Sequence, residues 1–284
     1  MITLFKAWEV YRTSRLGIST KNSINTDKYR WKYIEKFYGD VPLSSITTMS
    51  IIEFRNSIQH LSPQSVRHCL SLLQRIIMKV HHVELYNGKI PHFEMPRFDN
   101  KRMRFLSKKE AHFLMDTLWT LSPLWHDIAM LSLNTGLRAG EIFSLRPSDV
   151  NLRNSILHVY DTKSHLNRSV PLNVTACELI ERNMSQNNYL FMGKNGQFRQ
   201  VGKPFKEAVA FCGLNKNIKD RRNMVVFHSL RHTFASWLVQ LGLPLLEVSK
   251  LLGHANIQMT MRYAHLSPEN GARAVSVLAT YYNS

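Results

Sequence analysis

Apolar side chains recur at the helical period through most of this chain, which restricts it to a fold made mainly of packed helices. Over residues 2–14, Leu4, Phe5, Trp8 and Tyr11 are separated by threes and fours and mark one face of an amphipathic helix. Comparable patterns follow over 21–37, 48–60 and 63–84. The last is opened by Ser62 and Pro63, a hydroxyl suited to capping and a ring already at helical φ. The first hundred residues are predicted to form a small bundle of four or five helices. Between about 86 and 107 the period fades, Pro91 and Pro96 appear, and KRMRFLSKK carries five basic residues and no acid. A domain boundary is placed there. The run itself reads either as a solvated connector or as a strap along a polyanion backbone.

Helical signals then resume. Ser107 and Glu110 have capping-box spacing, and Ser122-Pro123 opens a helix that runs to Gly136. The exception is 155–172, where SILHVY and RSVPL flank the loop DTKSHLN and the β-branched and aromatic content predicts a hairpin. Further helices are predicted near 203–212, 228–241, 244–252, 257–264 and 268–281. No internal repeat is found. The fold class is mainly α with a small antiparallel sheet in the C-terminal part.

Across 284 residues, Lys plus Arg number 37 against 20 Asp plus Glu, a formal charge of +17. An excess of this size points to a polyanionic partner. Apolar residues at 44% argue against a disordered basic tail. No apolar run approaches the roughly 18 residues a membrane span needs, and Lys6, Glu9, Arg12 and Arg15 interrupt any signal-peptide core. Cys69, Cys177 and Cys212 show neither CxxC nor finger spacing and read as inert thiols in a reducing compartment. A cytoplasmic location, with no membrane partner, is the expectation.

Four segments carry chemistry. In LNTGLRAGEIFSL, Gly136 ends a helix and Arg138 and Glu141 sit at i, i+3, so the carboxylate can aim the guanidinium; alone, this is an ordinary surface ion pair. In VVFHSLRHTFASWL, His228, Arg231 and His232 cluster near a helix start, a geometry that favours an anion. His228 and His232 also have the i, i+4 spacing of a helical metal pair, but no third ligand follows at a suitable place, and no metal is expected. In KLLGHANIQMTMRYAHLS, Gly253 permits a turn before His254, and Tyr263 lies nine residues on; each is uninformative by itself. Lys163, in the hairpin loop, could reach a ligand. Together these groups match what phosphodiester transfer requires: arginines for the nonbridging oxygens, a hydrogen-bond donor, an acid for the leaving oxygen and a phenol as nucleophile.

In the order and spacing of TGLRAGE, TKSHLNRSVPL, HSLRHTFAS and LLGHANIQMTMRYAH, residues 103–284 resemble the tyrosine recombinases, or phage integrases. The resemblance implies a two-domain DNA clamp. Residues 1–96 would be a helical core-DNA-binding (SAM-like) domain, 97–106 a basic linker and 107–284 the catalytic domain. It implies Tyr263 as the nucleophile, giving a 3′-phosphotyrosyl link and a free 5′-hydroxyl. Arg138 and Arg231 would bind the nonbridging oxygens, and Lys163 would protonate the leaving oxygen. His228 would accept the tyrosine proton, and His254 would hydrogen-bond the phosphate. Glu141 and His232 would support these groups from behind. Lys101, Arg102, Arg104, Lys108 and Lys109 are candidate DNA contacts.

The same resemblance implies no cofactor and a homotetramer on double-stranded DNA with inverted-repeat core sites, with an accessory DNA-bending protein left open. Integration or excision of a phage or other mobile element is the leading reading. A Xer-type resolvase of chromosome or plasmid dimers, a type IB topoisomerase and an inactive DNA-binding protein are the alternatives. The bundle starts almost at residue 1, so either the enzyme works on simple core sites or the chain is a fragment lacking an arm-binding domain. A tail stripe of Val275, Val277, Leu278, Tyr281 and Tyr282 would pack on its own domain or on a neighbouring subunit.

Overall fold

The computed structural model describes residues 1–98, 104–160, 167–184, 188–193 and 196–268. The chain divides into two units, Met1–Asn100 and Lys101–Ser284. In the first, α1 (Leu4–Ser14), α2 (Lys21–Tyr38), α3 (Thr48–Ser57) and α4 (Pro63–His82) enclose one apolar core. Caps set where they begin: the Ser62 hydroxyl accepts from the Ser65 N–H at 3.2 Å and Pro63 occupies the first helical position. Leu4, Ile34, Phe54 and Leu73 are fully buried, and Trp8 stacks on Trp31 at 4.8 Å. Beside that core, buried Asp27 accepts from the Tyr11 hydroxyl at 3.1 Å and pairs with Arg15, Arg30 and Arg75 at 3.2–3.4 Å. One carboxylate thereby joins α1, α2 and α4.

The second unit is again mostly helical. The Ser107–Glu110 capping box opens α5 (Lys108–Leu121), and Ser122-Pro123 opens α6 (Pro123–Thr135). Gly136 ends α6 at φ +69°, and a Cβ there would lie 2.5 Å from the Phe234 ring, so both conformation and space require glycine. Next come α7 (Ala139–Ser144) and a three-stranded antiparallel sheet of β1 (Val150–Asn151), β2 (Ile156–Val159) and β3 (Arg168–Pro171), ordered β1-β2-β3. The predicted hairpin is β2–β3, with Ile156 opposite Pro171 and Val159 opposite Arg168. Its loop, 161–166, which includes Lys163, lies outside the described residues.

Five elements go beyond the sequence-based expectations: α7, β1, α8 (Val174–Arg182) and the small pair β4 (Met192–Gly193) and β5 (Gly196–Gln197). Two-residue strands carry no readable alternation. The helices α9 (Lys203–Phe211), α10 (His228–Gln240) and α11 (Leu245–Leu252) then follow close to their expected spans. The stretch expected as one helix at 257–264 is instead two 3-10 segments, Ile257–Met259 and Met261–Leu266, broken at Thr260. The helix expected at 268–281 falls almost wholly outside the described residues, as does the tail stripe. Leu106 is fully buried. Its N–H donates to Thr233 Oγ1 at 2.9 Å and its carbonyl accepts from Trp237 Nε1 at 3.1 Å, so the end of the basic connector is fastened to α10.

Candidate active site

The site lies within the second unit, where the end of α6, the start of α7, β3, α10 and the turn after α11 converge. Arg138 is the N-cap residue of α7. Its backbone N–H donates to Glu141 Oε2 at 2.8 Å and its Nη1 to Oε1 at 2.7 Å. The i, i+3 spacing thus aims the guanidinium from the helix start. Arg168, on β3, grips the same carboxylate with both Nη atoms, at 3.0 and 2.9 Å. Burial raises the pKa of Glu141, but the bonds from Arg168 and Arg138 outweigh it and hold the carboxyl below the usual range.

Arg231 projects from α10 and is 2% exposed. Its Nη1 donates to the Gly136 carbonyl at 2.7 Å and its Nη2 to the Leu252 carbonyl at 2.6 Å. These carbonyls lie at the C-terminal ends of α6 and α11, where helix dipoles favour a cation. Glu141 Oε2 is 4.0 Å away. Burial, then the charge of Arg138, push the pKa of Arg231 down while Glu141 pulls it back. It remains a cation at neutral pH.

Gly253 takes φ +63° after α11 and delivers His254, whose Nδ1 lies 2.8 Å from the Thr260 hydroxyl. Burial and the charges of Arg231, Arg138, Arg262 and Arg168 push the pKa of His254 down to about 3, so the imidazole is neutral at physiological pH. Tyr263, in the second 3-10 segment, is 6% exposed and packs with Ala235, Val239, Val248 and Leu252. Burial raises its pKa, against the pull of Arg262 and Arg231, so the phenol is protonated. Its hydroxyl lies 2.5 Å from His232 Nδ1, and the exposed His228 sits edge-on to His232 at 4.8 Å between ring centres.

The fold therefore brings together Arg138, Glu141, Arg231, His232, His254 and Tyr263, with His228 behind His232. The contact with the Tyr263 hydroxyl is made by His232, the residue read from sequence as support, where His228 was the expected proton acceptor. Lys163, Lys101 and Arg102 lie outside the described residues. Lys108 and Lys109 are exposed at the start of α5, whereas Arg104 is engaged by Glu110. Arg168 and Thr260 were missed. A strand alternation that buries Val170 also turns Arg168 inward, and that was the available signal. Among the described residues, no cluster of three or more His, Cys, Asp or Glu could hold a metal ion, and no helix is long and apolar enough to cross a membrane.

The phage integrase family profile matches residues 104–270, more than half of the chain and every described residue of this site. The chain belongs to the phage integrase family of tyrosine recombinases. Its relatives include the integrase of Salmonella phage P22, 31% identical over 195 residues, a match covering 64% of this chain and 49% of that protein. The chain thus aligns with about half the length of that integrase. The tyrosine recombinase XerD of Listeria monocytogenes is 28% identical over 228 residues, covering 72% of this chain and 73% of its own. Among solved structures, a lambda integrase tetramer bound to a Holliday junction superposes with a TM-score of 0.76 at 17% identity, covering 95% of this chain and 78% of that one. That likeness shows a shared fold.

Proposed function

We propose that this chain cuts and rejoins DNA at specific sites through a covalent phosphotyrosyl link. The observation that carries this reading is the convergence of one buried phenol, two arginines and a neutral histidine from separate segments on one cationic centre. In the proposed step, Tyr263 Oη forms a bond to the scissile phosphorus while the bond from phosphorus to the 5′-oxygen breaks. The phenol proton passes to the His232–His228 pair, and Lys163 protonates the departing 5′-oxygen. Arg138 and Arg231 offset the charge that builds on the nonbridging oxygens. Arg231 gives two of its five N–H donors to carbonyls, and these two bonds fix its guanidinium in the proposed phosphate site. If the Thr260 hydroxyl donates to His254 Nδ1, the imidazole carries its proton on Nε2 and presents it to the phosphate. Attack by a 5′-hydroxyl of another strand reverses the step and rejoins DNA without an external energy source.

The partner in this reading is double-stranded DNA with inverted-repeat core sites, which fits the charge of +17. The first unit serves as the core-DNA-binding domain, and Lys101, Arg102, Lys108 and Lys109 follow the phosphate backbone at the connector. Assembly as a homotetramer is supported by the shared fold with the lambda integrase tetramer, and the phage and bacterial relatives support bacterial cytoplasm as the proposed setting. Integration or excision of a mobile element is the leading role. Dimer resolution is the second reading, favoured by the XerD likeness over nearly three quarters of both chains.

Covalent capture tests this. The protein is incubated with fragmented, nicked DNA and denatured, and the linked fragments and peptide are sequenced. The expected result is an adduct on Tyr263 at one inverted repeat, lost in Tyr263→Phe with DNA binding kept. A repeat at element–host junctions supports an integrase, and one at a single chromosomal or plasmid locus supports a resolvase. Scattered adducts or none overturn the reading.

A further inference from the structure

We infer that Arg168 is a positioning residue: through Glu141 it fixes the direction in which Arg138 meets the scissile phosphate. The inference rests on the recombinase reading above and adds a residue to its machinery. Both Nη atoms of Arg168 lie on Glu141, at 3.0 and 2.9 Å, a two-bond fork that defines the plane of the carboxylate as well as its place. Glu141 in turn holds Arg138 by backbone and side chain. No other described residue bonds the Arg138 guanidinium, and its side chain is 34% exposed, so its remaining donors face outward for a ligand. The side chain of Arg168 is 10% exposed and its fork is occupied, so it is not itself the phosphate contact.

Arg168 is also confined from behind. A Cβ on Gly253 would lie 2.6 Å from Arg168 Cδ and 2.9 Å from Nε, so the turn carrying His254 closes directly on the guanidinium stem. Arg168 Nε is buried with no hydrogen-bond partner among the described residues, a cost accepted where the stem runs between the strand and that turn. A single side chain on β3 therefore sets Glu141 on one side and abuts the His254 turn on the other. Lysine cannot replace it: one ammonium makes no planar fork.

The test uses the full chain and a nicked duplex carrying the sequence recovered by covalent capture. The scissile group is made either as an ordinary phosphodiester or as a methylphosphonate, in which a methyl group replaces one nonbridging oxygen and removes the charge. On the phosphodiester, Arg168→Gln and Arg138→Ala should each slow adduct formation about 100-fold, with DNA affinity within about threefold of wild type. On the methylphosphonate, where there is little charge for Arg138 to offset, both deficits should shrink to less than about tenfold. Arg168→Lys keeps the buried charge and guards against a folding defect; it should behave like Arg168→Gln on both substrates.

A purely structural role predicts equal losses on the two substrates, and that result overturns the inference while leaving the recombinase reading intact. So does phosphodiester cleavage by Arg168→Lys within about threefold of wild type. Absence of any Tyr263-dependent adduct in the wild-type chain removes the recombinase reading itself, and this inference with it.

Discussion

In the proposed reaction, the 2.5 Å contact between Tyr263 and His232 makes His232 the first proton acceptor. Burial raises the pKa of the phenol, so on the proposed reading it has to give up a proton as it attacks, and the base in contact with it is His232 Nδ1. Asparagine at 232 keeps an acceptor near the Nδ1 position but takes no proton. His232→Asn should therefore slow adduct formation about 100-fold, and His228→Gln about tenfold, both with near-normal DNA binding. Rapid-quench measurement of the adduct checks this, and a larger loss at 228 assigns the proton to His228. Sequence spacing singled out Arg138, Arg231, His254 and Tyr263, which the fold brings together. It did not order the two histidines: at i and i+4 both lie on one helix face, and only the packing of the 3-10 segment against α10 chooses between them.

At the scale of elements, Asp27 does for the first unit what Glu141 does for the second. Three arginines from α1, α2 and α4 and the Tyr11 hydroxyl converge on a carboxylate that is 3% exposed. Removing the charge leaves three guanidiniums facing one another, although each is partly solvated and escapes the full penalty of burial. Asp27→Asn should destabilise the first unit by about 2–4 kcal/mol, read as a lower urea midpoint by far-UV circular dichroism. A loss below about 0.5 kcal/mol would make the cluster incidental. Helices with hydroxyl or Ser-Pro starts, such as α4, α5 and α6, were legible because the cap is local chemistry. The two-residue strands were not, because a run that short shows no alternation even when its partner is only a few residues away, and the break at Thr260 was not, because it follows from the fold of the turn that carries His254.

Over the whole molecule, cations gathered round few carboxylates set how stability answers to pH. His254 has an ordinary pKa of 6.5 when unfolded and is held down to about 3 when folded, so the unfolded chain binds the extra proton between those values. Stability is fully present above pH 6.5 and falls as the pH drops through that window. His68, lowered by burial and by Arg30, acts with the same sign. Glu141 and Asp127 are depressed below their ordinary 4.5 and 3.8: in each, burial raises the pKa, but bonds from Arg168 and from His126, Asn183 and Arg182 outweigh it. Their contribution is lost only at lower pH, as they protonate. Thermal unfolding should therefore show a shallow decline in midpoint from pH 6.5 and a steeper one below about 4.5. His254→Gln should make the shallow part shallower, with His68 sustaining the remainder, and should reduce but not abolish the steep part, which the carboxylates carry. An unaltered profile in that variant would mean that the arginine cluster relaxes around a charged imidazole, and that the fold does not enforce a neutral His254.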